Sequence, residues 1–307
     1  MVTEVIHEVR SGLAPAAHVA LGQSIEFVCP DASGNQMRPR LGVGGPASTV
    51  NFTVCGPVYV DGVEKGEWIG IEVQSIKPIG TCGYVWQRPG LGLVRVDCSV
   101  VRRVRFAQPT IEWLPIQPRV SLAKRLHLGT LGVLPARARS ANDAGRHGGN
   151  MDFFEIGPGA TLWVRAQTRG GGVFTGDAHF AIGDGEIGGT GVEVGARVAM
   201  RLHRRSGVVG SWPRVCRRER VWVVCAGRTV EEAIRAGVCE LCEAFRFVYD
   251  ASRSEALMAI SCLLQLHVCQ VVNPHATVAL SLAQGVDRIL MSDRDGEATP
   301  PSSVGLK

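Results

Sequence analysis

The spacing of apolar residues changes once along the chain and separates a strand-rich part from a helical part. Up to about residue 228, apolar and polar positions alternate, which is typical of half-buried β-strands. The clearest case is 192–202, where every second residue is apolar, while Glu193, Arg197 and Arg201 occupy the opposite face. A second alternating segment begins at Trp68. We therefore predict short strands between turns over most of the chain.

After residue 229 the apolar residues recur at helical spacing. Thr229 with Glu232, and Ser252 with Glu255, have the spacing of a capping box, which marks a helix N-terminus. These patterns predict a helical hairpin over about 229–268, packed on the sheet. The fold class expected is a β-rich α+β fold. We expect a single domain over 1–291, with a β-rich part at 1–228, the hairpin and a final strand at 229–285, and a disordered polar tail at 292–307.

Composition indicates a soluble globular protein and argues against two classes of partner. The 307 residues are 45% hydrophobic and 20% charged, with a formal charge of +5. The basic clusters are short and lack interleaved aromatic residues, so we expect no nucleic-acid binding. The longest apolar stretch, 256–272, is interrupted by polar residues and is shorter than the roughly 20 residues that span a bilayer, so we expect no membrane association.

The ten cysteines are predicted to be reduced. Most lie among apolar neighbours, and the first residues lack a signal-peptide pattern, so we expect a cytoplasmic protein with free thiols. Cys239 and Cys242 form a lone CxxC in a helical pattern. A zinc site would need a second pair of ligands at matching spacing, so this pair is interpreted as structural.

The glycine-rich segment 176–193 holds the most informative side chains. It places Asp177, His179, Asp184 and Glu186 within ten residues, among several glycines that let the backbone approach a ligand. Acids and an imidazole on such a segment indicate a metal site or an acid/base site. The alternative for any one of these residues is a polar surface turn. Four such groups in one place make that alternative a weaker explanation.

A second polar segment supports the first. Residues 136–151 resemble a long irregular loop, and loops of this length in compact domains are often functional. It ends in His147-Gly-Gly-Asn-Met-Asp152, where Asn150 and Asp152 would share one face of an extended chain. The alternative is an Asn/Asp turn. His127 and His147 also lie in candidate site loops.

The ordered combination of motifs resembles the acetamidase/formamidase family. The matching segments are 56–66, 128–135, 147–152, 176–179 with 183–186, and 266–274. The resemblance covers about residues 5–285. It implies a β-rich α+β fold and hydrolysis of short amides, generally with a bound divalent metal such as zinc.

The resemblance also implies roles for individual residues. Asp152, His179 and Glu186 fall on its most characteristic positions and are expected to bind the metal. Such a metal would activate water and polarise the amide carbonyl. Asp177, Asp184 or Glu186 would then be the catalytic carboxylate that moves the proton to the leaving amine.

Three apolar residues replace polar residues that are usual in the family. Phe52 stands where a His is usual, Phe154 where a Lys is usual, and Ile182 where a Gln is usual. With Asn150, these side chains are expected to bind the substrate. The replacements predict a larger and more hydrophobic substrate than acetamide. Phe52 also removes one side chain that could have bound the metal.

Three functional hypotheses follow. The first is metal-dependent hydrolysis of an amide or formamide C–N bond in a small molecule. The second keeps the fold but changes the reaction, so that a biosynthetic enzyme cyclises, isomerises or rearranges a hydrophobic intermediate. The third is a non-catalytic binding protein, which ranks last because Asp152, Asp177, His179 and Glu186 are all present. Metal content distinguishes the first two. A homo-oligomer is the default expectation.

Overall fold

The structure, a computed structural model, describes residues 1–36, 51–107, 110–113, 120–205 and 208–292. Its strands in the first half are β1 (Val5–Ile6), β2 (Glu8–Val9), β3 (Ala17–Val19), β4 (Ser24–Cys29), β5 (Val54–Val60), β6 (Trp68–Pro78), β7 (Cys82–Gln87), β8 (Val100–Ala107), β9 (Thr110–Trp113), β10 (Val120–Ala123) and β11 (His127–Val133). The later strands are β12 (Arg139–Ser140), β13 (Ala144–Gly145), β14 (Gly148–Asn150), β15 (Thr161–Arg165), β16 (Val173–His179), β17 (Glu193–Val194), β18 (Ala196–Arg205), β19 (Arg214–Arg217), β20 (Arg220–Gly227), β21 (Gln265–Gln270) and β22 (Ala276–Ser281). The α-helices are α1 (Val230–Tyr249) and α2 (Arg253–Leu263).

Most of these strands form two large, mainly antiparallel sheets. The first runs in the order β10-β9-β8-β7-β17-β16-β11-β14-β13, and β5 joins it at β16 and also pairs with β1 and β3. The second runs in the order β21-β22-β20-β19-β15-β6-β18-β4. The short strands β12 and β2 pair separately. Non-consecutive neighbours in both orders bring residues that are distant in sequence side by side.

The two large sheets share an apolar core. Ile69, Ile71 and Val73 of β6 are completely buried in this core, together with Leu128 and Leu131 of β11. The spacing of Ile69, Ile71 and Val73 follows from the two-residue period of a strand. Burial of each such side chain contributes roughly 1.5–3 kcal/mol to stability. The resulting core supports β17, β16 and β11, the central strands of the first sheet.

The helices form a hairpin that packs on the second sheet, as predicted. Thr229 accepts a hydrogen bond from the Glu232 N–H, and Ser252 and Glu255 form a complete capping box. Helix α1 packs against β20 and β22, with Leu241 in a second apolar cluster. The predicted hairpin end near residue 268 was wrong. Helix α2 ends at Leu263, and the chain continues as β21.

The predicted strand over 192–202 is interrupted at Gly195, between β17 of the first sheet and β18 of the second. Its apolar face is buried as expected, and Arg197 and Arg201 are exposed. Glu193, however, is buried. Glu193 lies on β17 in the first sheet, whereas Arg197 and Arg201 lie on β18 in the second sheet. The face of β17 that carries Glu193 is therefore not exposed to solvent.

The segment 136–151 is less irregular than predicted. It contains β12, β13 and β14, and residues 147–150 are buried. Asp152 does not continue an extended strand, because its φ of 51° lies in the left-handed region. Of the predicted disordered tail, residues 293–307 lie outside the described residues.

The cysteines agree with the sequence interpretation. All ten are free, and the CxxC pair lies on α1 with Cys239 exposed and Cys242 buried. In the described segments, the helices are too short or too polar to cross a membrane.

Candidate metal centre and active site

His179 lies at the end of β16, completely buried and surrounded by carboxylates. Its Nε2 atom is 2.9 Å from Glu193 Oε1, 3.3 Å from Asp177 Oδ1 and 3.8 Å from Glu186 Oε1. Its Nδ1 atom is 3.9 Å from Asp152 Oδ1. All four carboxylates are buried. We refer to these five residues, Asp152, Asp177, His179, Glu186 and Glu193, as the acidic cluster.

The first sheet assembles most of this cluster. Asp177 and His179 lie two residues apart on β16, and Glu193 of β17 is the direct cross-strand partner of His179. Asp152 follows β14, which pairs with β11 beside β16. Glu186 ends a short 3-10 turn, Asp184–Glu186. Neighbouring strands therefore bring together carboxylates from three separate stretches of sequence.

Three of these carboxylates sit on strained backbone. The φ angles of Asp152, Asp177 and Glu186 are 51°, 54° and 46°, in the left-handed region that residues with a Cβ rarely adopt. Each such residue costs on the order of 1 kcal/mol or more. Strain of this kind is concentrated at functional sites, where the surrounding structure maintains it.

A second histidine fixes the proton on the His179 ring. His127 Nδ1 lies 2.6 Å from the Arg125 carbonyl oxygen and must donate to it. Burial lowers the pKa of His127 to about 3, so its ring is neutral and its Nε2 carries a lone pair. That Nε2 is 3.2 Å from His179 Nδ1, which therefore carries a proton and donates it. His179 Nε2 is the atom directed at the carboxylates, as in metal-binding histidines.

The electrostatics of the cluster favour positive charge at its centre. Burial raises the pKa of both Glu186 and Glu193 to about 8. Burial acts to lower the pKa of His179, but Glu193 and Asp177 outweigh it and hold that pKa well above its ordinary value. His179 in turn outweighs the burial of Asp177 and lowers its pKa. The pKa of Asp152 is raised by burial and by the charges of Glu186 and Asp177.

Amide and hydroxyl groups orient two of the carboxylates. The Asn150 amide, with its nitrogen toward the acids, donates to Asp177 Oδ2 at 2.9 Å and to Asp152 Oδ2 at 3.1 Å. Asn273 Nδ2 donates to Asp152 Oδ2 at 3.2 Å, and also to the Asn150 amide oxygen at 2.8 Å. Thr130 Oγ1 donates to Asp177 Oδ2 at 3.3 Å. These donors favour ionised carboxylates in a fixed orientation.

Gly129 makes room for the cluster. It lies on β11, and a Cβ atom at this position would overlap the Asp177 carboxylate and a carboxylate oxygen of Asp152. The absence of a side chain therefore lets two carboxylates approach the backbone of β11 closely.

A cavity of about 100 Å³ opens beside the cluster. Asn150, Asp177, Glu186 and Glu193 form its buried polar part. The rest of the lining consists of Ala32, Phe52, Trp86, Arg88, Leu91, Asn142, Gly189, Thr190 and Asn273. Phe52 and Leu91 are half-buried. The cavity thus joins an acidic end to an apolar wall that reaches solvent, as in many small-molecule sites.

The structure brings together most of the residues that the sequence singled out. Asp152, Asp177, His179 and Glu186 are in the acidic cluster, while Asn150 and Phe52 line the cavity. Asp184 is exposed at the start of its 3-10 turn and is not part of the cluster.

Two of the predicted substrate-binding residues lie elsewhere. Phe154 packs against the His267 ring and the Arg125 guanidinium, and it does not line the cavity. Ile182 is half-buried and is also absent from the lining. The strand geometry assumed for Phe154 does not apply, because the backbone turns at Asp152.

The sequence did not identify Glu193, Asn273 or Thr130 as site residues. Glu193 was assigned to the outer face of a strand that in fact breaks two residues later. Asn273 lies in the segment 266–274 that carried part of the family resemblance, and this was the available signal. For Thr130, whose segment 128–135 also matched, only the pairing of β11 with β16 reveals the contact.

The donor set fits a divalent metal ion. Asp152, His179 and Glu186 each offer an atom within 4.8 Å of the others, and so do Asp177, His179 and Glu193. Among the described residues, Glu193 Oε2 is buried without a hydrogen-bond donor. A buried carboxylate oxygen that lacks a donor is costly unless a cation or a proton compensates it. Imidazole nitrogen with carboxylate oxygen is a ligand set that zinc accepts.

Comparisons with known proteins support the resemblance seen in the sequence. The model of the acetamidase/formamidase family matches residues 136–212, the part that contains Asn150, Asp152, Asp177, His179, Glu186 and Glu193. None of the curated proteins matches the chain. The predicted resemblance to this family is thus confirmed.

Solved structures show the same fold over nearly the whole chain. The chain is similar to an acetamidase from Bacillus halodurans, with 23% identity, a TM-score of 0.84, and coverage of 91% of this chain and 95% of that one. A predicted acetamidase/formamidase from Thermoanaerobacter tengcongensis is 23% identical, with a TM-score of 0.85 and coverage of 92% and 94%. An acetamidase from Yersinia enterocolitica is 25% identical, with a TM-score of 0.82 and coverage of 91% and 88%. The predicted β-rich α+β fold with C-terminal helices packed on the sheet is confirmed.

Proposed function

We propose that this protein is a metal-dependent hydrolase that cleaves the C–N bond of an amide. The acidic cluster carries the proposal, because four buried carboxylates surround one imidazole ring at the end of a cavity. Four carboxylates buried together must be compensated by protons or by a cation, and the carboxylates that raise the pKa of His179 would stabilise a metal ion at the same place. The similarity to acetamidases supports an amide as the substrate.

Asp152, His179 and Glu186 are the proposed metal ligands, and zinc is the proposed metal. His127 keeps the proton of His179 on Nδ1, which leaves Nε2 for the metal. Asn150 and Asn273 hold the Asp152 carboxylate in place. When bound, the divalent cation lowers the pKa of a water molecule and polarises the amide carbonyl.

Glu193 is the proposed proton-transfer group. Its Oε1 atom lies 2.9 Å from His179 Nε2, and its Oε2 atom is buried without a hydrogen-bond donor, so one carboxylate oxygen beside the proposed metal position can accept a proton. It would accept a proton from the water molecule whose oxygen bonds to the amide carbon, and it would pass that proton to the nitrogen as the C–N bond breaks. The products are a carboxylate and an amine or ammonia. Asp184 is exposed and is not assigned this role.

The cavity lining suggests which substrates bind. Asn150 lies at the polar end, where it would orient the amide group. Phe52, Trp86 and Leu91 form an apolar wall that acetamide is too small to use fully. We therefore propose a substrate that is larger and more hydrophobic than acetamide.

Metal analysis and an ammonia-release assay test the proposal together. We expect the purified protein to contain stoichiometric zinc and to release ammonia from primary amides. His179→Ala should lose most of the metal and reduce turnover by several orders of magnitude. His203→Ala is the matched control. His203 also contacts a carboxylate, that of Glu72, but this contact is partly exposed and joins β18 to β6. Full ammonia release by a protein without metal would contradict the metal dependence, and a metal-free protein that releases no ammonia would favour a rearrangement or cyclisation.

A further inference from the structure

The turn between β21 and β22 contacts three parts of the site. We refer to residues 271–275 as the 271–275 turn. Val271 N donates to the Gly185 carbonyl at 3.1 Å, in the 3-10 turn that carries Glu186. Asn273 Nδ2 donates to Asp152 Oδ2 at 3.2 Å. His275 Nδ1 lies 2.6 Å from Asp143 Oδ1, ahead of β14. One turn thus connects the segments that carry two of the proposed metal ligands.

The Gln270 side chain stabilises this turn through hydrogen bonds to its backbone. Its side chain is completely buried, and its Oε1 accepts hydrogen bonds from the backbone N–H groups of Val272 and Asn273, both at 3.0 Å. Its Nε2 donates to the His275 carbonyl at 2.6 Å. A buried amide that satisfies three backbone groups of one turn fixes the position of Asn273 at its centre.

The contact between His275 and Asp143 attaches the turn to the segment that precedes β14. The Asp143 carboxylate also accepts from Arg139 Nη1 at 2.7 Å and from the Ala144 N–H at 2.9 Å. The backbone carbonyl of Asp143 accepts from the Asn150 N–H at 3.1 Å. The Asn150 amide oxygen in turn accepts a hydrogen bond from Asn273 Nδ2. His275 therefore anchors the turn to the same segment that Asn273 contacts.

We propose that Gln270 and His275 are positioning residues that hold Asn273 against Asp152 and so set the geometry with which Asp152 binds the metal. The inference rests on the metal-dependent function proposed above. Neither residue lines the cavity, so their effect passes through Asn273. Loss of a hydrogen-bonding partner behind a metal ligand typically weakens metal binding by about 10–100-fold.

Zinc affinity, measured by competition with a chelator, tests this inference without reference to activity. We expect His275→Leu and Asn273→Ala each to weaken zinc binding by about 10–100-fold. His275→Asn should remain close to the wild type, because the Asn amide can replace the Nδ1 donor. His203→Leu is the control, because it removes a similarly exposed His–carboxylate contact between β18 and β6. Gln270→Leu should resemble Asn273→Ala if the variant folds, which circular dichroism determines.

The double variant His275→Leu/Asn273→Ala tests whether His275 acts on zinc binding through Asn273. If His275 acts through Asn273, the double variant loses no more affinity than Asn273→Ala alone. Additive losses, or an Asn273→Ala variant with wild-type affinity, would overturn the inference. If the wild type binds zinc and hydrolyses amides while all turn variants match the control, this inference fails and the proposed function stands. If the wild type does neither, both fail.

Discussion

Glu193 Oε1 and His179 Nε2 lie 2.9 Å apart, and the two residues are direct cross-strand partners on β17 and β16. The Gly191 N–H also donates to Glu193 Oε1, at 3.0 Å. The position of this carboxylate is therefore fixed by the sheet and by the turn that precedes β17. This relationship makes Glu193 part of the site, although its place in the sequence pattern assigns it to the outer face of a strand.

Replacing Glu193 by Gln should slow catalysis without removing the metal. Gln keeps an oxygen near His179 but can neither accept nor deliver the proton, so kcat should fall by about 10²–10⁴-fold. The zinc content should stay near that of the wild type, since Asp152, His179 and Glu186 remain. Glu72→Gln, at the outer His203 contact, is the control. Loss of zinc in Glu193→Gln would show that Glu193 is a ligand and not the proton-transfer group.

The sequence predicted the parts of the site that local patterns encode. The acids and the histidine of 176–193 and the Asn150–Asp152 pair could be identified because they are close together in sequence. Glu193 and Asn273 could not, because their roles depend on which strands become neighbours. Phe154 was placed by the period of a strand, and the left-handed backbone of Asp152 ends that period. Two features thus account for the main differences between the predicted and the observed site. The chain passes from the first sheet to the second after β17, and Asp152 has a left-handed φ angle.

A methyl group at Gly129 should disrupt the acidic cluster. In Gly129→Ala the Cβ would displace the carboxylates of Asp177 and Asp152, so zinc should bind at least tenfold more weakly. The overlap should also cost roughly 1–3 kcal/mol of unfolding free energy. Gly183→Ala is the control, because Gly183 is near the cluster, has a φ of −95°, and leaves at least 4 Å of open space around the position of an added Cβ. Equal zinc affinities in the two variants would contradict the close approach at Gly129.

The stability of the metal-free protein should fall as the pH rises from about 6.5 to about 8. Glu186 and Glu193 have a pKa of about 8 when folded, against 4.5 ordinarily, so the folded state keeps protons that the unfolded chain has lost. Their stabilising effect is complete below 4.5 and is lost as the pH rises through 8. The slope is about 1.4 kcal/mol per pH unit for each retained proton.

Above pH 6.5 the raised pKa values of Asp152 and His179 act in the same direction as those of Glu186 and Glu193. Burial lowers the pKa of His127 to about 3 and that of His147 to about 4, and these groups act in the opposite direction only below 6.5. Urea titrations of chelator-treated protein at several pH values measure the slope. Glu186→Gln and Glu193→Gln should each flatten it, whereas Glu72→Gln should not. A stability that rises between about pH 6.5 and 8 would contradict the raised pKa values.

Phe52 should determine the preference for apolar substrates. It lines the cavity with Trp86 and Leu91, and burial of a substrate group against this wall contributes roughly 1.5–3 kcal/mol. A cavity of about 100 Å³ is smaller than the roughly 150 Å³ that holds benzene, so it encloses the amide group and a few carbons. A longer substrate would extend past the half-buried Phe52 and Leu91 toward solvent.

Phe52→Ala should therefore lower kcat/KM for butyramide and phenylacetamide by at least tenfold and change kcat/KM for acetamide little. Acetamide has almost no apolar surface to lose, so the selectivity ratio is the measurement that decides. Phe154→Ala is the matched control, since the Phe154 ring contacts Arg125 and His267 and does not line the cavity. The control should keep the wild-type ratio. A wild type that prefers acetamide, or a Phe52→Ala variant with an unchanged ratio, would show that the apolar wall does not select the substrate.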